Sequence, residues 1–299
     1  MENDRRVVVI AEVGECYNGD LAVARRLIEV AKHADCDYAK FQTLDATQVS
    51  EDDPERDWFL RVALDAGEID QLVAYGREVG IGVLFTPENA ATAAWLFERK
   101  LPAVKLASSS LVDHELLRYV NGRFETVFMS TGMGTLDEIT AAVACLDRVP
   151  NLFILHCVSE YPTGPLLERR GLRALAPEDV RLNMMKMLMA LFPQHHIGYS
   201  DHTAGLLAPL AAVAAGARVV EKHLTLDRET PVRHFHEGGE YLGTDHVLSL
   251  EPDELRLMMR QLREVESMLG PWRWERSEGE QILREFLRGR FQQVDQSSE

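Results

Sequence analysis

The sequence has few of the features that mark several large classes of protein. No apolar run approaches the roughly 18 residues of a membrane span, and the first six residues lack the apolar stretch of a signal peptide. The four cysteines are Cys16, Cys36, Cys145 and Cys157. They are widely spaced and include no C-x-x-C pair, which argues against a disulfide framework or a structural zinc site. We therefore expect a cytoplasmic protein that does not enter a membrane.

Positive charge is also scarce. The chain has 32 Lys and Arg residues against 48 Asp and Glu residues, which gives a formal net charge of −16. Nucleic acids are bound through clustered Lys and Arg side chains that neutralise the phosphate backbone, so this balance argues against a nucleic-acid partner. An anionic ligand would need a local basic pocket within an acidic protein.

The sequence does contain a regular alternation of short apolar runs with helical stretches. Such alternation predicts a parallel sheet, because parallel neighbours need a long crossover between them. Eight such units in 299 residues, of which 46% are hydrophobic, predict an α/β protein with the TIM (β/α)8 barrel fold. The predicted strands are Val7–Val13, Tyr38–Phe41, Ile81–Phe85, Ala103–Leu106, Thr126–Met129, Leu152–His156, Ile197–Ser200 and Arg218–Glu221.

Apolar residues at helical spacing predict the helices. Leu206–Ala215 is almost wholly apolar, as expected of a helix packed between the barrel and a neighbouring chain. We predict one catalytic barrel domain over residues 1–270, followed at 271–299 by a helix and a disordered polar tail from Gln292. The other predicted helices are Leu21–Ala34, Thr135–Leu146, Asp253–Leu269 and Ser277–Arg288.

Polar side chains follow the apolar runs, at the face where a barrel carries its active site. Two lysines, several hydroxyls and the turn Ser130-Thr131-Gly132-Met133-Gly134 suit a phosphate or carboxylate, held by charge and by backbone N–H groups. The alternative for the turn is a helix N-cap by Ser130 or Thr131, and the alternative for either lysine is an ion pair or solvent exposure. These polar residues are Glu12, Lys40, Gln42, Thr86, Lys105, Ser108, Ser130, Ser200, His202, Glu221 and His223.

His202 and His223 lie at the ends of strands that we predict to be adjacent. Two neutral imidazoles can hold a divalent cation and leave positions open for water and a substrate oxygen. The alternative for each histidine alone is a buried, hydrogen-bonded side chain. We interpret the pair as a metal site.

Ten motifs follow one another in a fixed order along the chain. They are Ile10-Ala11-Glu12-Val13-Gly14, Asn18-Gly19-Asp20, Ala39-Lys40-Phe41-Gln42-Thr43, Phe85-Thr86-Pro87, Val104-Lys105-Leu106-Ala107-Ser108, Ser130-Thr131-Gly132-Met133, Leu155-His156-Cys157, Tyr161-Pro162-Thr163, Gly198-Tyr199-Ser200-Asp201-His202-Thr203 and Glu221-Lys222-His223. In these motifs and their order, the chain resembles the catalytic barrel of the sialic acid (N-acetylneuraminate) synthase family, from about residue 8 to residue 262.

The resemblance implies a metal-dependent condensation of phosphoenolpyruvate with a sugar aldehyde, in which C3 attacks the carbonyl carbon, water adds at C2 and phosphate leaves. It implies Mn²⁺ as the cation at His202 and His223, with Mg²⁺ or Co²⁺ as alternatives, and a homodimer. Glu12, Gln42 and Tyr161 match positions that face the reacting sugar, although an ion pair of Glu12 with Lys40 is the alternative. The positions that match the phosphoenolpyruvate pocket are Lys40, Thr86, Lys105, Ser108, Ser130 and Ser200.

The sequence departs from the family pattern around the sugar. Ser110 stands where the family usually has an acidic residue, residues 164–176 and a longer loop at 232–244 are additional, and no counterpart of the family's antifreeze-like C-terminal domain follows. One hypothesis is that the two inserts cover the site and that their arginines read an anionic group of the sugar. The alternative is a solvated surface loop. The side chains assigned to the sugar are Arg170, Arg233 and Asp245.

Two other functions stay open at this point. One is a phosphoenolpyruvate-dependent synthase that acts on another sugar phosphate or a nucleoside-type aldehyde in specialised metabolism. The other is a non-catalytic barrel that binds a sugar phosphate or serves as a partner subunit. The two lysines and two histidines argue against the second, whereas Ser110 keeps it open.

Overall fold

The computed structural model of the chain describes residues 6–44, 49–52, 56–160, 175–229, 233–236, 239–242 and 244–292. The chain divides into two compact units, Met1–Ser267 and Met268–Glu299. The first unit contains the barrel, and the second contains the last helix. No helix within the described ranges is both long and apolar enough to cross a membrane.

The first unit is built on a sheet of eight parallel strands. They are β1 (Val8–Gly14), β2 (Tyr38–Thr43), β3 (Gly82–Pro87), β4 (Ala103–Leu106), β5 (Thr126–Ser130), β6 (Asn151–Cys157), β7 (His196–Asp201) and β8 (Val219–His223). The strands follow the order β4-β5-β6-β7-β8-β1-β2-β3, and β3 contacts β4, so the sheet curls into a nearly closed barrel. Each strand lies within two residues of its predicted bounds, and the predicted TIM barrel is confirmed.

Helices lie between the strands and after the last strand in chain order, and the last of them belongs to the second unit. They are α1 (Leu21–His33), α2 (Arg56–Val62), α3 (Ala66–Val79), α4 (Ala90–Glu98), α5 (His114–Val120), α6 (Leu136–Cys145), α7 (Leu182–Leu191), α8 (Leu207–Ala214), α9 (Thr244–Leu248), α10 (Pro252–Leu269) and α11 (Glu278–Gln292). The five helices predicted from spacing are confirmed as α1, α6, α8, α10 and α11. Gln292, where we predict the tail to begin, still belongs to α11, and residues 293–299 lie outside the described part of the chain.

The segment 232–244 contains secondary structure that the sequence does not predict. Strands β9 (Arg233–His236) and β10 (Gly239–Leu242) pair as an antiparallel hairpin. The sequence predicts only a loop here, because four-residue strands are too short to show a clear alternation of apolar and polar residues. The hairpin follows β8, so it belongs to the connections at the C-terminal end of the barrel.

The start of α6 is fixed by a side chain outside the glycine-containing turn. Thr135 accepts a hydrogen bond from the backbone N–H of Glu138, and the Glu138 carboxylate accepts one from the backbone N–H of Thr135. This capping box satisfies N–H groups that the first helical turn leaves unpaired. Thr135 is therefore the N-cap, and the alternative of a cap by Ser130 or Thr131 is wrong.

Side chains that point into the barrel form three layers, because alternate residues of a strand face the same side. The floor layer is mostly apolar: Ile10, Tyr38, Leu84, Ala103, Phe128, Leu155 and Val219. Two residues further along each strand follows the charged layer: Glu12, Lys40, Thr86, Lys105, Ser130, Cys157, Ser200 and Glu221. Two residues further again follows the mouth layer: Gln42, Glu88, Ala107, Ser159, His202 and His223, with Gly14 and Gly132 at the two remaining positions.

On the outer side of the barrel, Asp201 and Lys222 form an ion pair at the ends of β7 and β8. Lys222 Nζ is 2.7 Å from Asp201 Oδ2, and both side chains are 0% exposed. The Tyr199 hydroxyl and the Thr203 backbone N–H also donate to Asp201, at 2.8 and 3.0 Å. Each member of the pair directly precedes one histidine of the mouth layer, so this network holds the strand ends that carry the histidines.

The buried pair predicts a large loss of stability when one partner is removed. In Lys222→Met the Asp201 carboxylate stays buried without its counter-charge, so we expect the free energy of unfolding to fall by about 3–5 kcal/mol. Urea unfolding followed by circular dichroism measures the change. Arg256→Met is the control, because Arg256 pairs with Asp253 at the surface, where ion pairs contribute little. Equal stability of the two variants would contradict the stabilising role of Lys222.

Candidate active site

A cavity of about 330 Å³ opens at the C-terminal end of the barrel. Its wall consists of the whole charged layer and the six side chains of the mouth layer, and Ser108, Ser109 and Met133 complete it. Barrels of this type carry their active sites at this end, on the loops that follow the strands. The cavity is therefore the candidate active site.

Four ionisable side chains of the charged layer pair with one another at the bottom of the cavity. Lys40 Nζ lies 3.1 Å from Glu12 Oε2 and 2.6 Å from Glu221 Oε1. Lys105 Nζ lies 3.3 Å from Glu221 Oε2. All four side chains are buried. Glu221 thus joins the two lysines, and we call these four residues the charge network.

The charge network sets the protonation of its members. Burial raises the pKa of Glu221, but Lys105, Lys40 and the Ser200 hydroxyl, which donates to Glu221 Oε2 at 2.9 Å, outweigh it and hold that pKa well below its usual range. Burial lowers the pKa of Lys40, but Glu12 and Glu221 raise it overall. Burial dominates at the other two members, so the pKa of Glu12 is raised and the pKa of Lys105 is lowered. Of the two carboxylates, Glu12 takes up a proton more readily.

The turn after β5 lies against hydroxyls of the cavity wall. The Gly132 backbone N–H donates to Ser108 Oγ at 3.1 Å. A methyl group at position 132 would lie 2.7 Å from Ser108 Oγ and closer still to Ser159 Oγ. The position therefore needs glycine because the two serines occupy the space of a side chain.

The two histidines of the mouth layer face one another. Their ring centroids are 5.4 Å apart, and His202 Nδ1 donates to the Val158 carbonyl at 3.0 Å. Burial and the neighbouring His202 lower the pKa of His223 well below its usual range. Burial also lowers the pKa of His202, but Cys157 and Asp245 outweigh it and raise that pKa to about 9. A cation bound at the pair would therefore compete with a proton on His202.

The histidine pair fits a metal site with few protein ligands. Donation from Nδ1 of His202 to a backbone carbonyl places the lone pair of the neutral ring on Nε2, which is the usual arrangement of a metal-binding histidine. His223 Nδ1 is buried and accepts no hydrogen bond from a described residue. The described ranges contain no group of three or more His, Cys, Asp or Glu side chains around one point. A cation here would keep positions for water and substrate oxygen.

The structure brings ten of the predicted site residues together in the cavity wall: Glu12, Lys40, Gln42, Thr86, Lys105, Ser108, Ser130, Ser200, His202 and His223. Glu12 also forms an ion pair with Lys40, which is the alternative interpretation of Glu12 from the sequence. Tyr161, Arg170 and the side chain of Arg233 lie outside the described part of the structure. Their roles stay predictions.

Asp245 and Ser110, two described residues that the sequence relates to the sugar, lie at different positions relative to the cavity. Asp245 Oδ2 is 3.7 Å from His223 Nδ1, beside the mouth layer. Ser110 is buried and is not among the residues of the cavity wall. The serine at 110 therefore presents no group to the cavity.

From the sequence, Glu221 is identified only as a polar residue at a strand end, and the wall residues Glu88, Cys157 and Ser159 have no assigned role. Each lies two residues from an inward-facing residue of the same strand or of its continuation. The period of two along a strand is the signal that could have identified them. It requires the register of each strand, which the structure supplies.

Comparison with known proteins identifies relatives over nearly the whole chain. The NeuB family matches residues 27–273. An uncharacterised protein of Methanocaldococcus jannaschii is 36% identical over 265 residues, which are 88% of this chain and 72% of that protein. The N,N′-diacetyllegionaminic acid synthase of Campylobacter jejuni is 31% identical over 297 residues, which are 93% of this chain and 81% of that enzyme.

A solved structure resembles this chain over most of its length. The crystal structure of N-acetylneuraminic acid (sialic acid) synthetase from Leptospira borgpetersenii, in complex with citrate, superposes with a TM-score of 0.81 at 28% sequence identity. The match covers 95% of this chain and 92% of that chain.

The close contacts of Gly132 predict weaker anion binding when the glycine is replaced. In Gly132→Ala the new methyl group displaces Ser108 and Ser159 from the cavity wall, so we expect the affinity for inorganic phosphate to fall about tenfold, or ~1.4 kcal/mol. Isothermal titration calorimetry measures it. Gly279→Ala is the control, since no atom lies within 4 Å of its new methyl group. Equal phosphate affinities in the two variants would show that the turn takes no part in anion binding.

Proposed function

This chain belongs to the NeuB family, and from that premise we propose that it condenses phosphoenolpyruvate with a sugar aldehyde to give a 3-deoxy-2-keto sugar acid and inorganic phosphate. The family resemblance predicted from the motifs is confirmed, and the chain is an enzyme of the sialic acid synthase class. One observation carries the proposal: two buried lysines and an imidazole pair share one cavity. The lysines suit an anion, and the imidazoles suit a cation that activates a carbonyl group.

The lysine side of the cavity supports a site for phosphoenolpyruvate. Lys105 Nζ donates to Ser130 Oγ at 2.7 Å, and Lys40 Nζ donates to Thr86 Oγ1 at 3.1 Å. Each pair offers an ammonium group and a hydroxyl to one phosphate or carboxylate group. An anion that arrives beside the lysines raises the pKa of Glu12 further, because like charges disfavour the ionised carboxylate. Binding of phosphoenolpyruvate therefore favours protonated Glu12.

Glu12 is the residue that we propose transfers protons between the two substrates. Its Oε1 accepts a hydrogen bond from Gln42 Nε2 at 3.4 Å, and β1 lies between β2, which carries Lys40, and β8, which carries His223. When C3 of phosphoenolpyruvate forms its bond to the aldehyde carbon, protonated Glu12 gives its proton to the aldehyde oxygen. The Glu12 carboxylate then takes a proton from the water that adds at C2. The C2–O bond to phosphate then breaks, phosphate leaves with the electrons of that bond and takes the remaining proton of the C2 hydroxyl group, and a keto group remains.

The histidine side of the cavity supports a cation site. A divalent cation held by His202 and His223, Mn²⁺ with Mg²⁺ or Co²⁺ as alternatives, supplies a Lewis acid for the carbonyl oxygen. The hydrogen bond of His202 to Val158 orients the ring. Gln42 lies in the same layer as both histidines and donates a hydrogen bond to Glu12.

We also propose a homodimer, which the family resemblance implies. On α7 the apolar side chains Met184, Met187 and Leu191 are exposed at helical spacing, and Leu207 at the start of α8 is 76% exposed. A second copy that covers these helices would remove this apolar surface from water. Sedimentation equilibrium measures the mass, and a monomer at micromolar concentration would contradict the dimer.

A substrate panel tests the function. The purified protein is incubated with phosphoenolpyruvate, Mn²⁺ and one aldehyde at a time: N-acetylmannosamine, its 6-phosphate, arabinose 5-phosphate or a nucleoside-type aldehyde. We expect phosphate release with at least one aldehyde and none without an aldehyde. A protein that binds phosphoenolpyruvate and releases no phosphate with any aldehyde would instead be the non-catalytic barrel.

Variants of the two sides of the cavity should each lose most activity. In Lys105→Ala an ammonium group of the anion site is lost, and in His202→Ala a ligand of the cation is lost, so we expect kcat/KM to fall about 100-fold or more in each. Steady-state phosphate release measures both. Lys100→Ala and His33→Ala are matched controls, because both side chains are exposed and outside the cavity wall. Near-normal turnover of either cavity variant would contradict the assignment of that residue.

Removal of divalent cations should abolish the reaction. After dialysis against EDTA we expect no phosphate release, and we expect Mn²⁺ to restore it. In His223→Ala the Mn²⁺ concentration for half-maximal binding, followed by electron paramagnetic resonance of free Mn²⁺, should rise at least about tenfold. The His33→Ala protein should bind Mn²⁺ normally. Full activity after EDTA treatment would contradict the metal requirement.

A further inference from the structure

Glu88 belongs to the mouth layer, and the proposed reaction gives it no part. It follows β3 directly, two residues after Thr86 and four after Leu84. Leu84 lies in the floor layer, Thr86 accepts a hydrogen bond from Lys40, and Glu88 lines the cavity. All three side chains therefore face the barrel axis, and Glu88 lies nearest the opening.

The order of the strands places Glu88 across the mouth from His202. Around the barrel, β3 and β7 are separated by the same number of strands in either direction, since β2, β1 and β8 lie on one side and β4, β5 and β6 on the other. Glu88 continues β3, and His202 continues β7. For a sugar aldehyde whose carbonyl group is at the histidines, Glu88 is therefore on the opposite side of the mouth.

Glu88 is available to a ligand in a way that the other carboxylates of the cavity are not. Glu12 and Glu221 are occupied by the lysines of the charge network. Within the described ranges, Glu88 has no hydrogen-bond or ion-pair partner, and its side chain is exposed to the cavity. An ionised carboxylate accepts hydrogen bonds at both oxygens and offers no donor. Glu88 thus attracts hydroxyl and ammonium groups and repels phosphate and carboxylate groups.

We propose that Glu88 determines substrate specificity by accepting hydrogen bonds from hydroxyl or amino groups at the far end of the sugar. The substrate class is accordingly a neutral or amino-bearing aldehyde, and aldehydes that end in a phosphate or a carboxylate are rejected. The inference rests on the proposed function, because it places the carbonyl group at the histidines. It extends that function by stating which end of the substrate Glu88 binds and which charge at that end it excludes.

A pair of substrates that differ only at the far end tests Glu88. Rates of phosphate release give kcat/KM for N-acetylmannosamine and for N-acetylmannosamine 6-phosphate in the wild-type protein and in Glu88→Gln. We expect the wild-type protein to prefer the neutral sugar at least about tenfold, since a hydrogen bond to a charged group contributes this much discrimination. Glu88→Gln should reduce the preference about tenfold, and Glu88→Lys should reverse it. The KM for phosphoenolpyruvate should change less than about twofold.

Two further variants separate a specific effect from a general one. Glu98→Gln is the matched control, because Glu98 is an exposed glutamate at the end of α4 outside the cavity wall, and its substrate preference should equal that of the wild-type protein. Glu88→Ser removes the charge with a smaller side chain and replaces Glu88→Gln if that protein does not fold. Glu88→Ser and Glu88→Gln should show the same loss of preference for the neutral sugar.

The possible outcomes separate this inference from the proposed function. An unchanged preference in Glu88→Gln, or a wild-type protein that prefers the phosphorylated sugar, would contradict the role of Glu88 and leave the condensation reaction in place. The second of these results would favour the arginines of the inserts as readers of an anionic group. A wild-type protein that releases no phosphate with any aldehyde would contradict both the proposed function and the role of Glu88.

Discussion

Glu221 allows two lysines to share the interior of one barrel. A buried ammonium group without a counter-charge loses the free energy of hydration, and two such groups close together also repel each other. From a single position, the two carboxylate oxygens of Glu221 contact Lys40 and Lys105, and Glu12 balances the remaining charge. The cavity can therefore present two positive groups to an anion although the network that holds them is neutral.

Strands β7 and β8 carry stabilising side chains on their outer face and side chains of the candidate active site on their inner face. Their inward side chains belong to the cavity, whereas Asp201 and Lys222 on the outward side form a fully buried ion pair. Because the two sets alternate along one backbone, each member of the ion pair directly precedes one histidine of the mouth layer. Side chains that do not line the cavity therefore pack next to the strand ends that carry His202 and His223.

The barrel and much of the site could be predicted from the sequence. Parallel strands place their C-terminal ends on one side of the barrel, so Lys40 and Lys105 are expected near each other even when no distance between them is known. The sequence was not sufficient for Glu88, which comes after β3 and faces inward only because the alternation continues beyond the strand. The N-cap of α6 was assigned wrongly for another reason. The sequence suggests Ser130 or Thr131 as the cap, but the helix is capped by Thr135, and the Thr131 hydroxyl donates to a carbonyl of β6.

The three inward layers repeat every two residues, so the addition or loss of one residue within a strand would exchange the inner and outer faces beyond that point. We therefore expect length changes in the connections between strands, apart from local irregularities such as the register shift between Glu12 and Gly14 in β1. The segments at 164–176 and 232–244, which the family resemblance predicts to be additional, both follow strand ends in the sequence, those of β6 and β8. A lineage with this barrel can diversify by lengthening its connections, whereas the wall of the cavity can change only by the exchange of one side chain for another.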